Sequence, residues 1–343
     1  MKTIVYSTAG DSSVLKLVDR EAAAPGPGEV RVRIVASGVN PTDWKARAAG
    51  TAFPEMVPNQ DGAGIVDAVG GGVTEPKVGD RVWIYLAAHG RPTGTAQEFA
   101  VLPADRVVPL PEGIGFDVAA SLGVPAMTAH RALTVHENGP SRLAPEALTG
   151  RVVLVQGGAG AVGHAAIQLA VWAGATVIAT VSSDAKADLA RAAGAHHVVR
   201  YPDNAEADRI REIAPDGVDH IVEVSPAQNA ALDVEVIANH GSIAYYANNN
   251  GEEFSVPIVA SFAKNVRWQG VLVYTVGSEA HHAAAEDITA ALRDGALPVG
   301  ESAGLPLTWF GLEETAAAHD AVENGTTGKV LIRVGEGTGE ETA

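Results

Sequence analysis

The chain has 343 residues, 46% of them hydrophobic and 19% charged, which is apolar mass for one large domain or two ordinary ones and excludes a disordered or coiled-coil protein. Cysteine is absent, which excludes disulfides, cysteine nucleophiles and thiolate zinc sites. The net charge of −17 leaves no basic face for nucleic acid, and Met1 opens directly on a strand-like run with no leader pattern, so the expected location is the cytoplasm.

Residues 1 to about 120 are rich in short strands and turns. Residues 30–35 alternate apolar and basic side chains at the period of a half-buried strand, residues 62–70 form a glycine-bracketed run, and residues 78–84 follow at strand length. Pro25, Pro27, Pro54, Pro58, Pro76 and Pro92 punctuate the turns between them, which predicts a mostly β, barrel-like unit. From about Ala119 the texture changes to alternating helices and strands. Residues 152–181 contain no Asp, Glu, Lys or Arg and are long enough to cross a bilayer. Their pattern is instead a β-branched strand (152–155), a glycine-rich turn (156–163), a helix (164–173) and a second apolar strand (175–181). Two strands that are apolar throughout belong to a parallel sheet buried on both faces. Helices over 185–193, 203–213 and 227–239 alternate with strands over 198–201, 218–224 and 242–246, which predicts a doubly wound sheet. Mixed elements follow from Val266 to Val334, and the acidic, glycine-rich tail 335–343 is expected to be disordered.

Gly158, Gly160 and Gly163 fit the pattern G-x-G-x-x-G, a weak match alone in a chain with 38 glycines. The flanking strand and helix strengthen it, because such glycines permit the tight turn and let the N–H groups of Ala161, Val162 and Gly163 approach a pyrophosphate at the helix N-terminus. An NAD site usually has Asp or Glu at the end of the second strand; here that strand ends in Ser182 and Ser183, followed by Asp184 and Lys186. Asp184 is either that acid displaced or a residue of the next helix's first turn. Ser182, Ser183 and Lys186 then form a candidate 2′-phosphate site, with a solvated helical Lys186 as the alternative.

Several motifs resemble one family. Residues 119–133, with Ala119, Ala120, Pro125, Thr128, Ala129, Ala132 and Leu133, resemble the A-A-x-x-x-x-P-x-x-T-A-x-x-A-L signature of the quinone oxidoreductase branch of the medium-chain dehydrogenase/reductases. Residues 37–45, 58–64, 78–82, 94–100 and 325–330 match further segments in order, so the resemblance runs over residues 1 to about 334. It implies a GroES-like, mostly β catalytic domain (1–122 and 266–334) with an inserted Rossmann domain (123–265) that binds NADPH, and an active site in the cleft between them. It also implies a homodimer, for which residues 266–275 offer an apolar strand without edge protection.

The family divides on zinc. Its zinc-dependent members carry Cys in the segment of Asn40, a His-Glu pair where this chain has Gln60 and Asp61, and a cysteine-rich lobe where only a short loop separates Tyr85 from Gln97. The resemblance therefore implies a zinc-free member, which must hold the nicotinamide against an electron-poor acceptor and offer donors to the oxygen that gains charge. Asn40 is the first candidate, for substrate carbonyl or nicotinamide ribose, unless it is only an Asn-Pro turn residue. Thr128 is expected on the nicotinamide side, or else is a helix-interior threonine. Lys45 stands where many quinone reductases carry Tyr; it is either a cationic donor or a solvated base. Tyr201 corresponds to an aromatic hydroxyl near the adenosine, with Arg200 as a possible substitute, and Lys329 in the last turn completes the expected cofactor set. The resulting expectation is an NADPH-dependent reductase of a small quinone or enone, acting without nucleic acid or membrane. A 2-enoyl-thioester reductase and a non-catalytic, crystallin-like NADPH-binding protein are the rivals.

Overall fold

The computed structural model describes residues 1–201, 205–249 and 251–335. The chain forms two compact units, one of Met1–Val124 with the chain from Leu307 onward, the other of Pro125–Pro306. The first unit holds β1 (Lys2–Val5), β2 (Lys16–Asp19), β3 (Glu29–Val39), α1 (Pro41–Ala49), β4 (Asp61–Val69), β5 (Arg81–Ile84), β6 (Phe99–Pro103) and β7 (Val107–Pro109), and α2 (Phe116–Thr134) carries the chain out of it. The second holds β8 (Val152–Val155), α3 (Ala161–Trp172), β9 (Thr176–Val181), α4 (Asp184–Ala192), β10 (His197–Arg200), α5 (Glu206–Ile213), β11 (Val218–Glu223), α6 (Pro226–Val236), β12 (Ile237–Tyr245), α7 (Ile258–Ala263), β13 (Arg267–Gly270) and α8 (Ser278–Arg293). The first unit is completed by β14 (Leu307–Gly311), α9 (Thr315–Glu323) and β15 (Lys329–Arg333).

β3 is the spine of the first unit, pairing antiparallel with β4, β6 and β15. Its alternation buries Val30, Val32 and Ile34 against Val66, Val82, Ile84, Ala100 and Leu102. The register of β15 sets Val330 opposite Val39. That brings Lys329 beside Asn40, which follows β3 and N-caps α1.

The sheet of the second unit has the order β10-β9-β8-β11-β12-β13, all parallel, so the chain reverses its direction of travel between β8 and β11. Ligands of such sheets bind outside the carboxyl ends of the strands at that switch point. Val153, Leu154, Val155, Ile178, Ile221 and Ile243 are fully buried, as strands covered on both faces require. Among the described residues no helix is long and apolar enough to cross a membrane, and residues 152–181 form the strand–turn–helix–strand unit that their pattern predicts.

Several expectations need correction. Residues 266–306 belong to the second unit, because β13 extends the parallel sheet beside β12. The run 266–275 is a strand only over Arg267–Gly270, and Val273–Thr275 is a single 3-10 turn. The helix expected over 227–239 stops at Val236, because Ile237 takes extended backbone and pairs with Val218. Beyond Gly335 the expected acidic tail lies outside the described residues, as does the start of the helix expected from residue 203.

Candidate active site

In the first unit, Asn40, Asp43, Asp61 and Lys329 form one buried cluster, each at most 4% exposed. The Lys329 ammonium donates to Asn40 Oδ1 at 2.7 Å and lies 3.5 Å from Asp61 Oδ2. Asn40 Nδ2 donates to the same Asp61 Oδ2 at 2.6 Å, so an ammonium on one end and a carboxylate on the other fix which way the amide points. The second Nδ2 hydrogen meets no acceptor among the described residues. Asp61 Oδ1 accepts from the Val124 N–H at 2.8 Å. Asp43 caps the start of α1, accepting from the Asn40 N–H at 2.7 Å and the Gln60 N–H at 3.1 Å.

The glycines of the family segments make room for this cluster. A Cβ on Gly123 would sit 2.0 Å from Asp61 Oδ1, and one on Gly38 would sit 2.2 Å from the Ala120 carbonyl and 3.1 Å from Lys329 Cε. At Gly123 α2 breaks, with φ 9° and ψ −116°, and Pro125, which has no N–H to offer, follows directly. The break frees the Val124 N–H to reach Asp61.

Burial raises Asp61 and lowers Lys329, while the attraction between them opposes both shifts. Burial, then the neighbouring Asp61, pushes Asp43 up to about 8. Asp43 is thus mostly protonated at neutral pH, and the ion pair of the cluster is Lys329 with Asp61. A hydrogen-bonded chain braces it from behind: Thr95 donates to the Asp61 carbonyl at 2.6 Å, Ser37 and Thr95 share a 2.7 Å bond, Asn59 donates to Ser37 at 2.9 Å, and His319 meets Asn59 Oδ1 at 2.9 Å. Burial lowers His319 to about 3, so it is neutral and donates from Nε2.

These residues do not fit zinc. Asn40 and Asp61 are tied to an ammonium, Gln60 Oε1 accepts from the Ala88 N–H at 3.1 Å, and among the described residues no three His, Cys, Asp or Glu side chains converge. Lys45 is on the exposed part of α1, with its ammonium 5.8 Å from the Trp44 ring, two residues from buried Asp43 and hence on another face of the helix. The structure therefore brings Asn40 and Lys329 together and leaves Lys45 outside the cluster. The ammonium of Lys329, expected in the cofactor set, meets Asn40 and Asp61.

In the second unit the turn between β8 and α3 is built for close approach. A Cβ on Gly158 would come within 2.8 Å of Ala179 Cβ, and one on Gly163 within 2.5 Å of the Gly157 carbonyl, so internal packing demands both glycines. Gly160, the N-cap of α3, is different: a Cβ there would come no nearer than 3.5 Å to the protein. The space over it is open, and the N–H groups of Ala161 and Val162 in the first helical turn have no partner within the helix. Residues and space both fit a pyrophosphate.

β10 registers Arg200 opposite Val181, so β10 and β9 end level with each other, just before Tyr201 and Ser182. Ser183 caps α4, accepting from the Lys186 N–H at 3.3 Å and keeping its own O–H proton to donate. Asp184 lies in the first turn of α4, paired with Arg200 at 2.5 Å, and not at the strand end where a ribose acid would stand. Ser182 and the Lys186 ammonium make no hydrogen bond or ion pair among the described residues. Tyr201 is 46% exposed. Thr128 is buried on the second segment of α2, and its hydroxyl likewise has no partner among the described residues. Asp61 and Asp43 are the site residues that motif reading passes over; the visible signal was a pair of acids inside otherwise apolar and glycine-rich segments.

A GroES-like unit beside a classically ordered dinucleotide-binding sheet defines a two-domain oxidoreductase. Residues 26–112 match the alcohol dehydrogenase GroES-like domain and residues 161–290 the zinc-binding dehydrogenase family. The chain is 31% identical to the quinone oxidoreductase of Rattus norvegicus over 97% of both chains, and 31% identical to a 2-haloacrylate reductase of a Burkholderia species over 76% of both. A solved structure of the Escherichia coli quinone oxidoreductase complexed with NADPH superimposes with a TM-score of 0.79 at 25% identity, covering 97% of this chain and 100% of that one. The chain belongs to the quinone oxidoreductase family of medium-chain dehydrogenase/reductases.

The buried pair yields a direct test. Lys329→Met leaves Asp61 buried without its cation and should cost about 3–5 kcal/mol in denaturant unfolding. Adding Asp61→Asn removes the stranded charge and should recover a substantial part of that loss. A Lys329→Met protein as stable as the wild type would show that the pair is not ionised.

Proposed function

We propose that the chain is a cytoplasmic, zinc-free reductase that transfers hydride from NADPH to a quinone or another α,β-unsaturated carbonyl. The observation that carries the reading is Asn40, held rigid with one amide hydrogen unspent at the place where zinc-dependent relatives carry a metal ligand. Bound NADPH supplies the hydride from C4 of its nicotinamide. Asn40 then donates to the oxygen that gains charge, and because Lys329 and Asp61 hold the amide beforehand, it need not reorient as charge develops. An acceptor that is already electron-poor requires no stronger Lewis acid. Thr128 offers its hydroxyl to the nicotinamide side, and the turn from Gly158 to Gly163 holds the pyrophosphate.

Cofactor choice follows from the ends of β9 and β10. Ser182, Ser183 and the Lys186 ammonium, which has no partner among the described residues, would hold the 2′-phosphate, and Asp184, in the first turn of α4 and paired with Arg200, would not serve the ribose. Tyr201, which follows β10, would meet the adenosine.

NADPH oxidation should be measured with 9,10-phenanthrenequinone, with a crotonyl thioester and with no acceptor. Turnover with the quinone is expected. Turnover with the thioester alone would make the chain an enoyl-thioester reductase, and NADPH binding without turnover would make it a non-catalytic binding protein.

Lys186→Ala should raise KM for NADPH about ten- to a hundredfold, the worth of a hydrogen bond to a charged group, with kcat and NADH use nearly unchanged. Equal losses with both cofactors would reduce Lys186 to a structural role.

The chain is also proposed to pair with a second copy along β13, the outermost strand of its sheet, flanked by exposed Ile258, Val259 and Phe262 of α7. Sedimentation at micromolar concentration should then give about twice 35.1 kDa, and a monomer would refute the pairing.

A further inference from the structure

A second buried pair of acids lies in the dinucleotide-binding unit, at the switch point of the sheet. Glu223 ends β11 and Asp233 lies on α6; both are fully buried, and their carboxyl groups are close enough to influence each other's ionisation. Glu223 accepts from the Ser225 N–H and, at 3.1 and 3.2 Å, from Asn229 Nδ2. Asp233 Oδ1 accepts from Gln156 Nε2 at 2.9 Å. Its other oxygen, Oδ2, receives no N–H or O–H from any described group, although it is buried.

Among the described residues no cation pairs with either acid. The groups that face it are Gln156 after β8, Thr180 of β9, Asn229 of α6 and, after β12, Tyr246, whose phenol burial and Glu223 keep neutral. Two neighbouring carboxyl groups in such surroundings oppose each other's ionisation. The distribution of donors points to where a shared proton would reside. Glu223 is already surrounded by donors, and Asp233 Oδ2 lacks one, so Oδ2 carries the proton and donates it to Glu223. Burial raises both acids, and Glu223 raises Asp233 further.

The pair is linked to the glycine turn by a short relay. Gln156 Oε1 accepts from Thr180 Oγ1 at 2.5 Å, and the Gly157 N–H donates to that Thr180 Oγ1 at 3.3 Å. The Gly158 N–H donates to the Thr180 carbonyl at 3.0 Å. Gln156 is thus held at both ends, one by Asp233 and one by the threonine that fixes the first residues of the turn.

We propose that protonated Asp233, braced by Glu223, is a positioning residue for the cofactor-binding turn, acting through Gln156 and Thr180, and that the proton it keeps makes cofactor affinity depend on pH. The inference rests on the proposed binding of NADPH at this turn. Losing the proton would set two negative charges in contact, push Asp233 away from Gln156 and release the turn. The sign follows: the neutral form is the binding form, so affinity is full at low pH and is lost as pH rises past the ionisation of the pair.

The test is the dissociation constant of NADPH, read from protein fluorescence between pH 7 and 10, for wild type, Asp233→Asn and Asp233→Ala. In Asp233→Asn the amide nitrogen donates to Glu223 as the acid does, Oδ1 still accepts from Gln156, and no proton can be lost. It should match the wild type within about twofold at pH 7 and keep its affinity to pH 10, where the wild type should weaken about tenfold, the worth of one lost hydrogen bond. Asp233→Ala should bind about tenfold more weakly already at pH 7, with kcat at saturating NADPH unchanged. If Asp233→Ala does not fold, the two pH profiles decide alone. Identical profiles for wild type and Asp233→Asn, or an Asp233→Asn protein that folds but binds poorly at pH 7, would overturn the proposal. Wild-type protein that binds no NADPH at any pH would overturn the cofactor assignment together with it.

Discussion

A buried ammonium is the constraint from which the catalytic unit follows. Lys329 is 1% exposed, and an uncompensated cation there would cost several kcal/mol. Asp61 must therefore stand beside it, and the surrounding chain is cut to let it. Gly38 and Gly123 have no side chain because one would collide with the Ala120 carbonyl or with Asp61 itself. The break in α2 turns the Val124 N–H toward the carboxylate, and the register of β15 against β3 delivers Lys329 from 289 residues away to Asn40. The amide of Asn40 keeps one hydrogen that meets no acceptor among the described residues.

Both units solve the same electrostatic problem, in different ways. In the first, a carboxylate is balanced by Lys329, and Asp43, with no cation of its own, is pushed up to about 8. In the second, Glu223 and Asp233 have no cation and share a proton. Each cluster holds the backbone next to a proposed ligand position: the start of α1 and Asn40 in one, the glycine turn in the other. Buried acids are expensive, and in both places the cost is offset by fixing a group that must not move.

The fold was legible in the sequence where pattern and packing coincide. Two strands without charges around a glycine turn can only belong to a sheet covered on both faces, and β8 and β9 fall where that pattern predicts. The end of the Rossmann domain was not legible, because the run from Val266 has the same apolar, β-branched texture in either unit, and only its pairing with β12 assigns it. At the site, Asn40, Lys329 and the strand-end serines were visible as motif residues, as was Lys186. What no motif gives is partnership. That Lys329 bonds to Asn40, and that Asp61 and Asp43 belong with them, depends on contacts between residues far apart in the chain. Lys45 shows the converse: a residue conspicuous in the motif lies on the exposed part of α1.

The central claim is that the Lys329–Asp61–Asn40 cluster replaces a metal and that hydride transfer proceeds without one. The direct measurement is the zinc content of the purified protein before and after a strong chelator, paired with the rate of NADPH oxidation by a quinone in the same samples. The account predicts substoichiometric zinc and an unchanged rate after chelation. Stoichiometric zinc whose removal abolishes turnover and whose return restores it would contradict the account.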